Sequence, residues 1–254
     1  RTPACVDAVV DAGVSRVVVA VVDPDERVAG RGLAALERAG IEVVVGPGAE
    51  AVETQLAPYL TQRRTGRPLV VLKLAATLDG RVAAADGSSQ WITGPEARAD
   101  AHRLRAESDA IVVGAGTVRA DDPRLTVRGV TAPDGDPPRE PLRVVLGRAP
   151  DGAAIHPCLE LAGDEADVLD ELGRRGDVLQ VMIEGGANVA ARFHRSGLVD
   201  RYVLYLAPAL LGGDDGRPLF DGPGAPTIGE LWRGRLVDVR PVGGDLRLEL
   251  TAER

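Results

Sequence analysis

The sequence predicts an α/β fold built on a central, mostly parallel sheet. Three observations carry that expectation. Short apolar runs rich in β-branched residues, such as "RVVVAVV" (16–22) and "LVVLKLAA" (69–76), have the length and composition of buried strands. Helical segments alternate with them, and an α-β-α-β succession favours parallel pairing. Aromatic residues make up only 3% of the chain, so the core has to be built from Val, Leu and Ala.

Residues 3–15, "PACVDAVVDAGVS", read as a helix closed by Gly13. The strand 16–22 and a turn-rich loop (23–32) follow, then a helix at 33–40 stopped by Gly40 and a strand at 41–46. The stretch "TQRRTGRP" (61–68) is polar and basic without apolar periodicity. It reads as the boundary between domains spanning 1–66 and 67–254. The strand 69–76 opens the second domain. Two Asp-Gly steps mark turns in "TLDGRVAAADGSSQWIT" (77–93), and Gly94-Pro95 sets up a helix start. This helix carries Ala97, Ala101 and Leu104 on one face, Arg98 and His102 on a neighbouring stripe, and Arg105 a turn further along. Strands are expected at 109–116 and 142–147, with a mobile Pro/Asp loop, "TAPDGDPPRE", between them. A helix at 168–176 precedes a strand, glycine turn and helix over 177–200, stopped by Gly197. A strand at 201–208 and an alternating edge or antiparallel strand at 246–250 complete the order.

Composition narrows the function classes. Apolar residues at 44% and charged residues at 27% fit a globular protein. Acids outnumber bases by 38 to 30, and a net charge of −8 argues against nonspecific nucleic-acid binding. It leaves room for a small anionic ligand held by local arginines. No apolar run approaches a membrane span and no signal-peptide pattern opens the chain, so no membrane partner is expected. Cys5 and Cys158 are too few for a disulfide framework, which makes the cytoplasm the expected location.

Several stretches could carry chemistry. In "MIEGGAN" (182–188) an apolar strand delivers Glu184 to a glycine turn that opens a helix. Glycines let a ligand approach the backbone, and a helix N-terminus offers free N–H groups to an anion. The turn alone fits a pyrophosphate site and a ligand-free strand-to-helix connection equally. Glu184, at the end of an apolar strand, needs a partner, which a ligand's N–H or hydroxyl groups could supply. "VVGAGTVRADDPRLTVR" (112–128) is a second strand followed by a Gly-rich turn, with Thr117, Asp121, Asp122 and Arg128 as polar members. Taken alone, Asp121-Asp122-Pro123 is a capped turn and Arg128 a solvated arginine. "GSSQW" (87–91) puts two hydroxyls and the indole of Trp91 in one loop, as a core anchor or as a platform for a ring. Lys73 lies mid-strand among apolar neighbours, where a lysine needs a partner. His102, His156 and His194 stand far apart without ligand spacing. A metal-free, glycine-turn domain with an anion site fits a nicotinamide enzyme best, since hydride transfer asks the protein mainly for positioning.

The segments "LKLAATLDGRVAAADGSSQWITGPEAR", "LRAESDAIVVGAGTVRADDPRLTVR", "MIEGGANVAARF" and "VDRYVLYLAPALLGG" together closely resemble the riboflavin-biosynthesis bifunctional deaminase–reductase family. The resemblance covers roughly 1–48 for a zinc deaminase part and 68–254 for a reductase part. It implies a partial cytidine-deaminase-like domain followed by a dihydrofolate-reductase-like domain. The reductase would use NADPH to reduce the ribosyl group of a small phosphorylated pyrimidine to ribityl, and the enzyme would be a homo-oligomer. By resemblance, Ala75, Trp91, Thr117, Asp121 and the run Gly186, Ala187, Asn188, Val189, Ala190, Ala191 and Arg192 match cofactor-contacting positions. Ser89, Arg105, Leu125, Arg128 and Glu184 match substrate-holding positions, with Arg105 and Arg128 suited to a phosphate. Hydride would go to the ribose C1′ of a ring-opened imine, with Asp121 as first and Lys73 as second candidate proton donor. Where the family often has Asp-Ser after the "RVVL" strand, Gly147-Arg148 stand here, and Arg148 is a candidate for a 2′-phosphate. Cys5 matches the second cysteine of the family's zinc motif, whose other members lie upstream of Arg1 in that pattern. Zinc and deamination are therefore expected only where that motif is completed. Two alternatives stand beside this reading: a dihydrofolate-reductase-like NADPH enzyme with another substrate, and a non-catalytic nucleotide-binding protein.

Overall fold

The computed structural model describes residues 5–25, 27, 28, 30–131 and 135–252. The expected helix start at 3–4, two positions of the 23–32 loop and residues 132–134 of the Pro/Asp loop lie outside them. The chain divides into two compact units, Arg1–Arg67 and Pro68–Arg254.

The first unit contains α1 (Cys5–Asp11), β1 (Arg16–Val19), α2 (Arg31–Arg38), β2 (Glu42–Val45), α3 (Ala49–Gln55) and α4 (Ala57–Thr65). Strands β1 and β2 pair in parallel from Arg16↔Glu42 to Val19↔Val45, with α2 in the crossover between them. The strand expected over 16–22 stops at Val19, and it is not buried: Val18 is 56% exposed. Its β-branched residues favour an extended backbone, but a two-stranded sheet does not cover both faces. Residues 61–65, read from the sequence as part of a linker, belong to α4, which ends at Gly66 in the left-handed region (φ 75°). Only Leu60 and Gln62 of that helix are buried, so no apolar stripe announces it.

The second unit runs β3 (Leu69–Thr77), β4 (Arg81–Ala83), α5 (Pro95–Ala106), β5 (Ala110–Gly114), α6 (Ala115–Asp121), β6 (Leu142–Leu146), β7 (Leu159–Leu161), α7 (Glu165–Arg174), β8 (Gln180–Ile183), α8 (Ala187–Ser196), β9 (Arg201–Ala207), β10 (Arg217–Pro218), β11 (Gly234–Val242) and β12 (Asp245–Ala252). Eight of these strands form one sheet in the order β11-β12-β9-β3-β8-β5-β6-β7. The six from β9 to β7 are parallel, and β12 and β11 add an antiparallel edge. Every residue of β5 and β8 is buried, as a parallel sheet covered by helices on both faces requires. Among the described residues no helix is long and apolar enough to cross a membrane.

Local chemistry explains the departures from expectation. A helix, α6, stands where a Gly-rich turn was expected after β5. Helix α7 starts three residues early because the Asp164 carboxylate accepts the Asp167 N–H at 2.9 Å. Strand β11 was not foreseen. It contains Pro241, which an edge strand tolerates because its outer N–H positions need no partner.

Two buried groupings tie β9 to its surroundings. Tyr202 packs against Trp232 (ring centroids 4.6 Å apart), and its hydroxyl lies 2.9 Å from His194 Nδ1 on α8. On Tyr205, the hydroxyl donates to Asp100 Oδ2 at 2.7 Å, and Arg247 Nε stands 3.2 Å from the same oxygen. Burial alone raises the Asp100 pKa. The Tyr205 hydroxyl and Arg103, Arg247 and Arg240 outweigh it and hold the carboxyl below its ordinary value. Removing one member of a buried ion network leaves the others uncompensated. Asp100→Ala should therefore destabilise the second unit by about 3 kcal/mol or more. Tyr205→Phe should cost roughly half as much. Urea unfolding of the two variants checks the order.

Candidate active site

Strands β5 and β8 pair from Ala110↔Val181 to Val112↔Ile183, and the Glu184 N–H then donates to the Val112 carbonyl at 2.9 Å. Strand β8 ends there, β5 runs on to Gly114, and α6 and α8 begin side by side. Val189 of α8 fills the space between the two turns. A Cβ at Gly114 would lie 2.7 Å from a Val189 methyl, and one at Gly185 would lie 2.6 Å from Val189 Cβ. Neither position has room for a side chain. Across the gap the Gly186 N–H donates to Thr117 Oγ1 at 3.3 Å.

In front of the turns lies a pocket of about 370 Å³, lined by Thr117, Asn188 and three arginines, Arg119, Arg192 and Arg217, among others. Arg192 Nε is engaged by Glu165 Oε1 at 2.5 Å. Among the described residues the Arg119 and Arg217 side chains have no hydrogen-bond or ion-pair partner. The first-turn N–H groups of α8 and two uncommitted guanidinium forks suit an anion, and a pyrophosphate above all.

Beside the turn, Glu184 is held by two cations. Arg105 reaches it bidentately, Nε to Oε2 at 2.8 Å and Nη2 to Oε1 at 2.9 Å, and Lys73 Nζ stands 3.2 Å from Oε1. The three side chains are 14–16% exposed. Burial pushes the Glu184 carboxyl up, but the charges of Lys73 and Arg105 prevail and hold it at about 2. The sequence reading gave Glu184 to ligand N–H groups and Arg105 to a phosphate. In the structure the carboxylate and the fork satisfy each other, and Glu184 is also the partner that Lys73 needed.

The other expected residues take distinct places. Thr117, Gly186, Ala187, Asn188, Val189 and Arg192 line the pocket. Ala190 and Ala191 are fully buried and face the core instead. Leu125 is buried with a left-handed backbone (φ 51°). Arg128 is exposed, and its backbone N–H donates to His102 Nδ1 at 3.2 Å. Asp121 ends α6, exposed and with no side-chain partner among the described residues. Trp91 is 68% exposed with the Arg98 guanidinium 4.6 Å from its ring centroid. Ser89 and Ala75 are half-buried. Arg148 is exposed and does not line the pocket, whereas Arg119 and Arg217, which the sequence reading passed over, do. Cys5 is exposed, and among the described residues no three His, Cys, Asp or Glu side chains gather as metal ligands would.

Residues 68–248 match the family model described as the RibD C-terminal domain. The chain belongs to the RibD C-terminal domain family. It is 44% identical to the riboflavin biosynthesis protein RibD of Mycobacterium tuberculosis, over 99% of this chain and 74% of the relative. To RibD of Escherichia coli K12 it is 35% identical, over 98% of this chain and 78% of the relative. The solved structure of Acinetobacter baumannii RibD superposes with a TM-score of 0.90 at 35% identity, covering 100% of this chain and 77% of that one. A Thermotoga maritima protein described as a diaminohydroxyphosphoribosylaminopyrimidine deaminase/5-amino-6-(5-phosphoribosylamino)uracil reductase gives a TM-score of 0.83 at 29% identity, covering 99% and 75%.

The cation–carboxylate cluster of this RibD-type site has a measurable pH signature. A carboxylate held below its unfolded pKa contributes stability that is fully present above that value and lost as pH falls through the folded one. Glu184→Gln should destabilise the protein by roughly 3 kcal/mol at pH 7, leaving Lys73 and Arg105 without their counter-charge. The difference from the unmutated protein should shrink between the ordinary carboxylate range and pH of about 2, where Glu184 protonates. Denaturant titrations at several pH values check it.

Proposed function

We propose that residues 67–254 form a dihydrofolate-reductase-like reductase of riboflavin biosynthesis. It converts 5-amino-6-(5-phosphoribosylamino)uracil to the ribitylamino product with NADPH. The observation that carries this reading is the adjacency of an anion-ready glycine cradle and a buried Lys-Glu-Arg cluster, joined through consecutive residues Glu184, Gly185 and Gly186. The similarity to RibD proteins over nearly the whole chain supports it. So does the likeness to the Thermotoga maritima protein, whose description names that uracil as a substrate.

The cradle would hold NADPH, whose chemistry there would be hydride donation to ribose C1′. The α8 N–H groups would hold its pyrophosphate, and Arg119 and Arg217 would supply the positive charge that favours a 2′-phosphate over a bare hydroxyl. On the substrate side, hydride addition to a ring-opened C1′=N bond moves the π pair to nitrogen, which takes up a proton. Within the cluster, arginine has no proton it can release, so Lys73 Nζ is the donor. Glu184 orients Lys73 through its Oε1 contact. This geometry favours Lys73 over the exposed Asp121. Arg128, with no side-chain partner among the described residues, holds the substrate phosphate.

We read residues 1–66 as the C-terminal part of a cytidine-deaminase-like domain, which the parallel β1–β2 pair supports. Among the described residues the donors around Cys5 do not make a zinc site.

Absorbance assays of NADPH oxidation with 5-amino-6-(5-phosphoribosylamino)uracil test the reading, and no oxidation with that substrate would refute it. Lys73→Met should lower kcat by about 100-fold or more while NADPH affinity stays within about twofold. Asp121→Asn should lose less. The reverse order would move the proton donor to Asp121.

A further inference from the structure

Residues Leu125 to Arg128 belong to no helix or strand, yet they carry an inward-facing Leu125 and the exposed Arg128. Three side chains hold this strap. Arg105 Nη1 donates to the Thr126 carbonyl at 3.2 Å, and Glu140 Oε1 accepts the Val127 N–H at 3.2 Å. His102 Nδ1, on α5, accepts the Arg128 N–H at 3.2 Å. The last contact acts on the residue whose guanidinium has no partner among the described residues.

We propose that His102 is a positioning residue for substrate binding: its imidazole ties the strap to α5 and fixes where Arg128 meets the substrate phosphate. This rests on the assignment of Arg128 to the phosphate made above. The tie needs an unprotonated Nδ1, so it exists only with a neutral ring whose proton is on Nε2. The charged groups facing the ring are Arg105 from α5, Arg128 from the strap and Glu184 from the end of β8. Burial, then Arg105 and Arg128, hold the His102 pKa below its ordinary value. Glu184 and the Thr126 carbonyl act in the opposite direction. The neutral form therefore prevails at neutral pH, and the tie is lost as pH falls below the ordinary histidine range.

Steady-state kinetics on the full chain, with the phosphorylated substrate and its dephosphorylated counterpart, separate this role from a merely structural one. His102→Ala should raise KM for the phosphorylated substrate about tenfold with kcat within about twofold, and leave the dephosphorylated substrate unaffected. His102→Asn places Oδ1 where Nδ1 stood and cannot titrate. It should keep KM within about threefold at pH 7 and show a smaller rise in KM on acidification than the unmutated enzyme. Because both enzymes meet the same substrate, titration of the phosphate itself cancels in that comparison. In an Arg128→Ala background, His102→Ala should add nothing. Equal losses on both substrates, an Asn variant as impaired as the Ala variant, or additivity with Arg128→Ala would each overturn the proposal. If Arg128→Ala leaves KM for the phosphorylated substrate unchanged, the phosphate assignment fails and this proposal with it. If Arg128→Ala raises KM and His102→Ala does not, only the role of His102 fails.

Discussion

The parallel register between β5 and β8 is the constraint on which the site depends. The pairing stops at Val112 and Ile183, and one further backbone bond, from the Glu184 N–H to the Val112 carbonyl, closes it. Two helix starts are thereby brought side by side. Val189 keeps them there by occupying the volume that side chains at positions 114 and 185 would take. A methyl group added at either glycine would displace α8, and α8 supplies one wall of the pocket and its N-terminal N–H groups. Glycine at these turns is thus a packing requirement, independent of any positive backbone angle.

Electrostatics follow from the same geometry. Ending β8 at Ile183 puts Glu184 at the mouth of the sheet, where desolvation disfavours a carboxylate. Lys73 from β3 and Arg105 from α5 converge on it and more than balance its charge. In the neighbouring pocket Arg119 and Arg217, unpaired among the described residues, stand with Asp221 and with the Glu165-paired Arg192, so arginines outnumber carboxylates there on a chain whose net charge is −8. Substrate and cofactor are both anionic, so the sign of the site, rather than that of the molecule, governs what it attracts.

How legible these features were depended on the range of the interactions behind them. The strands β3, β5, β8 and β9 are apolar runs broken by turn residues, and α5 and α8 carry their own signals, a start at Pro95 and a stop at Gly197. Local pattern suffices for such elements. It failed for α6, whose Gly116 reads as a turn, for α4, which buries almost nothing apolar, and for β11, where Pro241 and three charged residues hide an edge strand. At the site, Lys73 and Glu184 each announced the need for a partner by sitting in apolar company. That they answer one another across 111 residues is a fact of sheet order, which periodicity does not encode. The same holds for Arg105: its stripe on α5 was readable, but its carboxylate partner lies 79 residues away. Arg217 reaches the pocket from the short strand β10, and nothing in its neighbourhood marks it.

The placement of the two tryptophans has an optical consequence. Trp91 stands in water against Arg98, while Trp232 is half-buried among Tyr202 and His194. Emission from an indole shifts to longer wavelength with solvent exposure, so the two contribute at opposite ends of the band. A ligand that covers the loop perturbs the red component, and loss of the core perturbs the blue. The intrinsic fluorescence of this chain therefore resolves covering of that loop from unfolding of the core without an added label.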